Sequence, residues 1–404
     1  MSYLIFCSFE VGGFPYMMSD VLSRHGVPVR YVSIDRWARG HDSSAFHFGG
    51  ARPDWDLTDR FAGTFISPAR LIAVLEGLRR EFGITHCFAT GSQSFLLAAA
   101  GYRYNYWSYG GDVCQIPRLG KLPHNPLRPR EWAGKARQLL DRRRVLKSIA
   151  AADAVQIAPY QWPILHELIP GKPLFFLPHM LKAVAPEDIA LKKKRAREVL
   201  TRRYAARHFF FSSTRHFWRY YGGNDMADGN NKGNDVVLRA FSLYSARPGT
   251  EDDRLVLVRK GPDVGASIDL VRQLGLQDRV IWVAEVGREE LGDHYLAASA
   301  CLGQFATPVL TYTALEPLAF GTPSVSGYTH AHSADVPFYA GGVPVFDSND
   351  PPAIADHLYA LTHDEAKARE TGDAGLRWVN ENCSESNFVR SFLACFDPQR
   401  SFIS

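Results

Sequence analysis

A chain of 404 residues is too long for one ordinary hydrophobic core and points to two domains of similar size. Its 46% hydrophobic and 22% charged residues are those of a soluble globular protein, and a net charge of +4 gives no reason to expect a nucleic-acid partner. No apolar run approaches the length that spans a bilayer, and six scattered cysteines without a C-x-x-C pair fit reduced thiols rather than a disulfide framework.

The N-terminal Met1-Ser2-Tyr3-Leu4-Ile5-Phe6-Cys7 reads as a first strand, not as a signal peptide. Residues 3–9, 27–34, 86–89, 104–107 and 154–157 are strand candidates, separated by helical patterns such as 68–82 with Leu71, Ile72, Val74, Leu75 and Leu78. In the second half, residues 209–211, 255–258, 280–283, 300–303, 324–326 and 343–345 read as strands. Helices begin near Lys232, Ala266, Arg288, Thr313 and Pro351, and a last one covers about 382–396. Alternating strands and helices predict parallel sheets covered on both faces. The division is residues 1–184, a linker at 185–207, and residues 208–404, with the last helix a candidate to pack back on the first domain.

Several segments carry polar chemistry. Glu10-Val11-Gly12-Gly13-Phe14 follows the first strand, and its glycines let backbone N–H groups approach a phosphate or a sugar. A dinucleotide reading, with Asp35 on the ribose, lacks the G-x-G-x-x-G spacing. Asp54-Trp55-Asp56 has the D-x-D form of a metal-binding pair but follows Gly and Pro and reads as a loop; His330 and His332 lack a third ligand. Thr90-Gly91-Ser92-Gln93 reads as a helix cap. Trp107-Ser108-Tyr109-Gly110-Gly111-Asp112 leaves two roles open for Asp112, a sugar or acceptor contact and an Asx turn. Residues 118–147 mix basic side chains with Trp132 and leucines. For 118–132 this suits an anionic membrane surface, and for 139–149 a helix packed on its own domain. Lys192-Lys193-Lys194-Arg195-Ala196-Arg197 reads as the solvated face of a connecting helix.

The second half is more specific. Phe209-Phe210-Phe211-Ser212-Ser213 is a buried strand followed by Arg215, and Lys232-Gly233-Asn234-Asp235 opens an amphipathic helix. Two cations after a strand and at a helix N-terminus form an anion site, where free N–H groups add to the charge. Downstream, residues 314–325 read as a helix, a glycine stop, a proline turn and a strand, with Glu316 where the helix begins. A carboxylate there can accept from two neighbouring hydroxyls, as on a ribose.

These three features in this order resemble the retaining GT-B glycosyltransferases of the family-4 type. The resemblance implies an α/β GT-B fold, two Rossmann-like domains whose parallel sheets face a central cleft. It implies Arg215, Lys232 and Asp112 as catalytic residues, and Glu316, Gly12, Gly13, Gly233, Thr311, Tyr312 and Thr313 as donor ligands. Gly111 and Tyr109 would face the acceptor or the sugar. It further implies a UDP- or GDP-linked sugar as substrate with no metal or other cofactor, a glycan or lipid-linked acceptor in surface polysaccharide or glycoconjugate synthesis, and a cytoplasmic enzyme able to touch the inner face of the membrane. One departure matters: relatives often carry a glutamate eight positions before the ribose-binding one, and here that position is Pro308. The alternatives are a nucleotide-sugar 2-epimerase of the same fold and a sugar-binding protein without turnover.

Overall fold

The computed structural model describes residues 2–8, 14–34, 54–61, 67–108, 113, 129–158, 161–219, 231–306, 310–328, 339 and 341–396. They fall into two compact units, Met1–Leu177 with Phe388–Ser404, and Pro178–Asn387. The helix Pro186–Arg203, placed in a linker by the sequence reading, therefore belongs to the second unit.

The first unit is built on β1 (Tyr3–Cys7), β2 (Val29–Ser33), β3 (Trp55–Asp56), β4 (His86–Thr90), β5 (Arg103–Trp107), β6 (Val155–Gln156) and β7 (Leu174–Phe175). Their order is β3-β2-β1-β4-β5-β6-β7 with every pair parallel. β1 is buried at all five positions, as a strand covered on both faces must be. Helix Pro68–Phe82 lays Leu71, Leu75 and Leu78 on the same core at helical spacing. Val145 and Ile149 of helix Pro129–Ala151 are fully buried there too, so that stretch packs on its own unit, with Leu139 left exposed. From helix Glu385–Ala394, Phe392 sets its ring 5.4 Å from Tyr3 and 5.6 Å from Phe88, and Asn105 donates to the Cys395 carbonyl at 2.9 Å.

The second unit holds β8 (Phe209–Ser212), β9 (Arg254–Val258), β10 (Val280–Val283), β11 (Ala300–Leu302), β12 (Ser324–Ser326) and β13 (Phe346–Asp347), ordered β10-β9-β8-β11-β12-β13 and again parallel. The triple phenylalanine of β8 shows why this strand is central. Phe210 meets Tyr244 of helix Asn234–Ser245 on one face at 4.8 Å. Phe209 and Phe211 meet Tyr204 and Tyr295 on the other at 5.4 and 5.8 Å. Each buried ring contributes about 2–3 kcal/mol, and the alternation fixes the register.

Three expectations are corrected, and one helix is added. Pairing of the last strand starts at Phe346, not at Val343, because Pro344 has no N–H and Val345 turns back onto the Val343 carbonyl at 2.7 Å. Helix Glu365–Asn382 precedes the last helix and was not foreseen. Trp55 and Asp56 form an edge strand rather than a loop, and Asp54 accepts the Tyr31 N–H at 2.7 Å, so its carboxylate serves the fold. Lys193 is not solvated: its ammonium donates to the Gly321 carbonyl, and burial lowers its pKa to about 8.

Candidate functional site

In the second unit the chain turns from one side of the sheet to the other between β8 and β11, which pair directly through Ala300↔Phe210. A crevice opens beyond the carboxyl ends of strands at such a switch point. Two of the expected residues lie there. Arg215, exposed, follows β8 with its guanidinium 5.3 Å from the centre of the Phe217 ring. Lys232 stands just before helix Asn234–Ser245 and donates to Gln304 Oε1 at 3.0 Å, which joins the segments following β8 and β11. Burial first, and the Arg215 charge second, lower the Lys232 pKa to about 8. A half-desolvated ammonium beside a second cation at a helix N-terminus favours an incoming anion.

Gly233 makes this approach possible. Its φ of +59° and its position against Phe305 leave no space for a side chain: an added Cβ would lie 2.5 Å from Phe305 Cβ. Lys232 meanwhile accepts the Phe305 N–H through its carbonyl at 3.1 Å and donates its own N–H to Phe217 at 2.8 Å.

The Arg215 segment is bolted down from two sides by residues the sequence reading passed over. Asn234 Oδ1 accepts the Phe217 N–H at 3.1 Å. Asp263 Oδ2 accepts the N–H groups of Trp218 and Arg219, both at 2.7 Å, and the Asp263 N–H donates to the His216 carbonyl at 3.0 Å. The ring of His216 is buried, with Nδ1 on Ser267 Oγ at 2.8 Å, and burial lowers its pKa to about 4, so it stays neutral. The signal for Asn234 was present in Lys232-Gly233-Asn234-Asp235, where it looked like a helix opening and nothing more.

Glu316 sits in the second turn of helix Tyr312–Ala319, whose N-cap is Thr311; it does not begin the helix as expected. Oε1 accepts from Arg288 Nη1 at 2.7 Å and Oε2 from the Tyr295 hydroxyl at 2.8 Å. The carboxylate side chain is 12% exposed and that of Arg288 44%, so the ion pair adds at most about 1 kcal/mol to stability. A cavity of about 440 Å³ borders the trio, walled by Leu181, Val184, Leu291 and Phe320. Thr311 and Thr313 share a hydroxyl contact of 3.0 Å at the start of the helix. The Tyr312 phenol accepts the Met180 N–H at 3.4 Å and packs on the edge of His179, and burial pushes its pKa up. Its side chain therefore serves the packing.

The structure thus groups Arg215, Lys232 and Gly233 at the switch point, and Glu316, Thr311, Tyr312 and Thr313 on the helix after β11. Gly12, Gly13, Tyr109, Gly111, Asp112 and Pro308 lie outside the described residues, as do His330, His332 and 114–128 of the basic stretch. Among the described residues no three His, Cys, Asp or Glu side chains converge as a metal site would require, and no helix is long and apolar enough to cross a membrane.

Residues 221–364 match the family model described as glycosyl transferases group 1. The likeness to this family lies within the second unit. The matched span contains Lys232, Gly233 and the helix of Glu316, and Arg215 lies just before it. The chain is 29% identical over 162 residues to a GDP-mannose-dependent alpha-(1-6)-phosphatidylinositol monomannoside mannosyltransferase of Mycolicibacterium smegmatis, over 37% of this chain and 41% of that protein. A Mycobacterium tuberculosis protein of the same description matches at 29% over 159 residues, 37% of this chain and 40% of the relative. The chain thus spans about two fifths of the length of these curated relatives. Among solved structures, sucrose-phosphate synthase from Thermosynechococcus elongatus has a TM-score of 0.60 at 14% identity over 98% of both chains. Anabaena Alr3699/HepE in complex with UDP and glucose reaches 0.61 at 12%, over 98% of this chain and 99% of that one. These likenesses show the fold, the GT-B class with two parallel α/β units.

Proposed function

We propose that the chain is a retaining, metal-independent glycosyltransferase that moves a sugar from a UDP- or GDP-linked donor to a hydroxyl of a glycan or lipid-linked acceptor. The observation that carries this reading is the Lys232–Gln304 contact at the switch point, with Arg215 close enough to depress the lysine further. In the proposed reaction the bond from the anomeric carbon to the diphosphate oxygen breaks, and the acceptor oxygen bonds to that carbon from the same face. The acceptor proton passes to the departing phosphate. Arg215 and Lys232 neutralise the charge growing on the diphosphate, the electrostatic task a metal performs elsewhere. Glu316 accepts the ribose hydroxyls. With Pro308 where a sugar-binding glutamate often stands, the sugar would be held by backbone amides near Thr311 and by the hydroxyls of Thr307 and Thr311. The relatives' GDP-mannose and phosphatidylinositol-linked acceptor, and the UDP bound by Alr3699/HepE, support starting with these two nucleotides and with a lipid-linked acceptor. Peripheral membrane contact through residues 118–147 and a cytoplasmic location belong to the same proposal.

The test is release of UDP or GDP from a panel of nucleotide sugars in EDTA, with and without acceptor, followed by NMR of the product's anomeric proton. The expected result is acceptor-dependent release with the donor's configuration kept. An inverted product would refute retention, donor epimerisation without acceptor would favour the epimerase, and binding without turnover would favour the non-catalytic reading.

A pH dependence follows from Lys232. A diphosphate stabilises the charged ammonium, so the pKa near 8 of the free protein rises on binding. Affinity for a nucleoside diphosphate should be level below pH 8 and fall about tenfold per pH unit above it, until the raised pKa of the complex is reached. Titrations between pH 6.5 and 9.5 check this, and a flat profile would contradict a buried lysine at the diphosphate.

A further inference from the structure

Tyr295 stands between the two halves of the site. It lies in helix Arg288–Ala297, is 2% exposed, and donates its single phenolic proton to Glu316 Oε2 at 2.8 Å. Its second hydroxyl contact, Ser213 Oγ at 3.2 Å, must therefore run the other way, with the serine donating. Ser213 directly follows β8 and stands two residues before Arg215. A line of hydrogen bonds, Ser213 to Tyr295 to Glu316, thus ties the segment of Arg215 to the helix of Glu316.

The phenol is a fixed point. Its ring centre lies 5.8 Å from Phe211 and 5.5 Å from Phe320, and the Tyr295 carbonyl accepts from Thr322 Oγ1 at 2.6 Å. Burial and the facing carboxylate push its pKa well up, so it remains a donor across the working pH range. Arg288, the other partner of Glu316, is a long side chain that is 44% exposed. A carboxylate has about four acceptor positions. With Tyr295 on one oxygen and Arg288 on the other, each oxygen keeps one position, as the paired hydroxyls of a ribose require.

We propose that Tyr295 is a positioning residue for nucleoside recognition: it orients Glu316 toward the ribose hydroxyls and, through Ser213, sets that grip at a constant distance from the diphosphate cations. The proposal rests on the reading of Glu316 as the ribose ligand. Neither Tyr295 nor Ser213 was given a role in the sequence, where Tyr295 is one aromatic of a helix expected to begin near Arg288.

The test measures binding of UDP and GDP, their 2′-deoxy and 3′-deoxy counterparts, and inorganic pyrophosphate to the wild type, Tyr295→Phe and Ser213→Ala. The wild type should prefer the ribonucleotide about tenfold or more over the deoxy forms, as a site built for hydroxyls does. Tyr295→Phe should reduce that preference to about two- to threefold, since one oxygen of Glu316 loses its fixed donor. Pyrophosphate affinity should stay unchanged, whereas a general packing defect would weaken every ligand alike. Ser213→Ala should give an intermediate preference, and it decides the matter if the phenylalanine variant does not fold. Full ribose preference in the variants would overturn the proposal and leave the Glu316 reading standing. A wild type that binds pyrophosphate but ignores the ribose hydroxyls would remove the Glu316 reading and the proposal with it.

Discussion

Lys232→Met is expected to lower turnover about 10²–10³-fold, the effect of deleting one preorganised charge from a reacting centre, and at the same time to stabilise the protein without ligand. The lysine's pKa of about 8, against an ordinary 10.5, means that at neutral pH the folded state holds a charge it would rather lose. A shift of that size corresponds to about 3 kcal/mol. Methionine fills similar space without the charge, but leaves Gln304 Oε1 without its 3.0 Å donor, which costs about 1–2 kcal/mol. The net gain should be about 1–2 kcal/mol, a rise in melting temperature of a few degrees for a unit of this size. The sign also appears in the wild type. Between the folded pKa and the unfolded one the unfolded chain binds more protons, so this group's contribution to stability rises with pH across that window. Thermal denaturation and donor kinetics of the one variant check both halves. A variant that is less stable and fully active would contradict the account twice.

Gly233→Ala should be strongly destabilising, at about 3 kcal/mol or more. A left-handed backbone costs a non-glycine residue about 1–2 kcal/mol, and here φ is +59°. The added methyl would also lie 2.5 Å from Phe305 Cβ and 2.8 Å from the Phe305 carbonyl carbon, so backbone must shift. That shift opens the Lys232–Phe305 hydrogen bond and moves the Lys232 ammonium off Gln304, so nucleotide binding should fail together with stability. Gly265→Ala is the control: it sits in helix Val264–Gln273 with nothing within 4 Å of the new carbon. Alanine there should be neutral or stabilising by up to about 1 kcal/mol. Chemical denaturation of the two variants separates a local steric cause from a general intolerance of substitution.

Much of the fold was legible because its strands are apolar runs buried on both faces, and such runs announce themselves; β1 and β8 are the plainest cases. What escaped was short or punctuated. β3 and β7 have two residues each, and β13 begins only after a proline, so pairing with a neighbour, not local composition, makes them strands. The charged part of the site was legible for a related reason. A cation after a buried strand and another before an amphipathic helix have few ways to avoid each other in a parallel α/β unit, and Arg215 and Lys232 do share a field. The polar supports were not. Asn234, Asp263 and Ser213 are far apart in sequence from the groups they hold, and nothing in their neighbourhoods distinguishes them from ordinary caps and turns. The burial of Lys193 against Gly321 was hidden by its position in a run of cations that looked uniformly solvated.

The measurement that bears most directly on the central claim is calorimetric titration of UDP and GDP in EDTA at pH 7 and pH 9, for the wild type, Arg215→Ala and Lys232→Met. The account predicts that at least one nucleotide binds the wild type without metal, about tenfold more weakly at the higher pH, and that either substitution weakens binding by about tenfold or more at pH 7. Binding that survives both substitutions unchanged, or no binding of either nucleotide, would contradict a metal-independent donor site at Arg215 and Lys232.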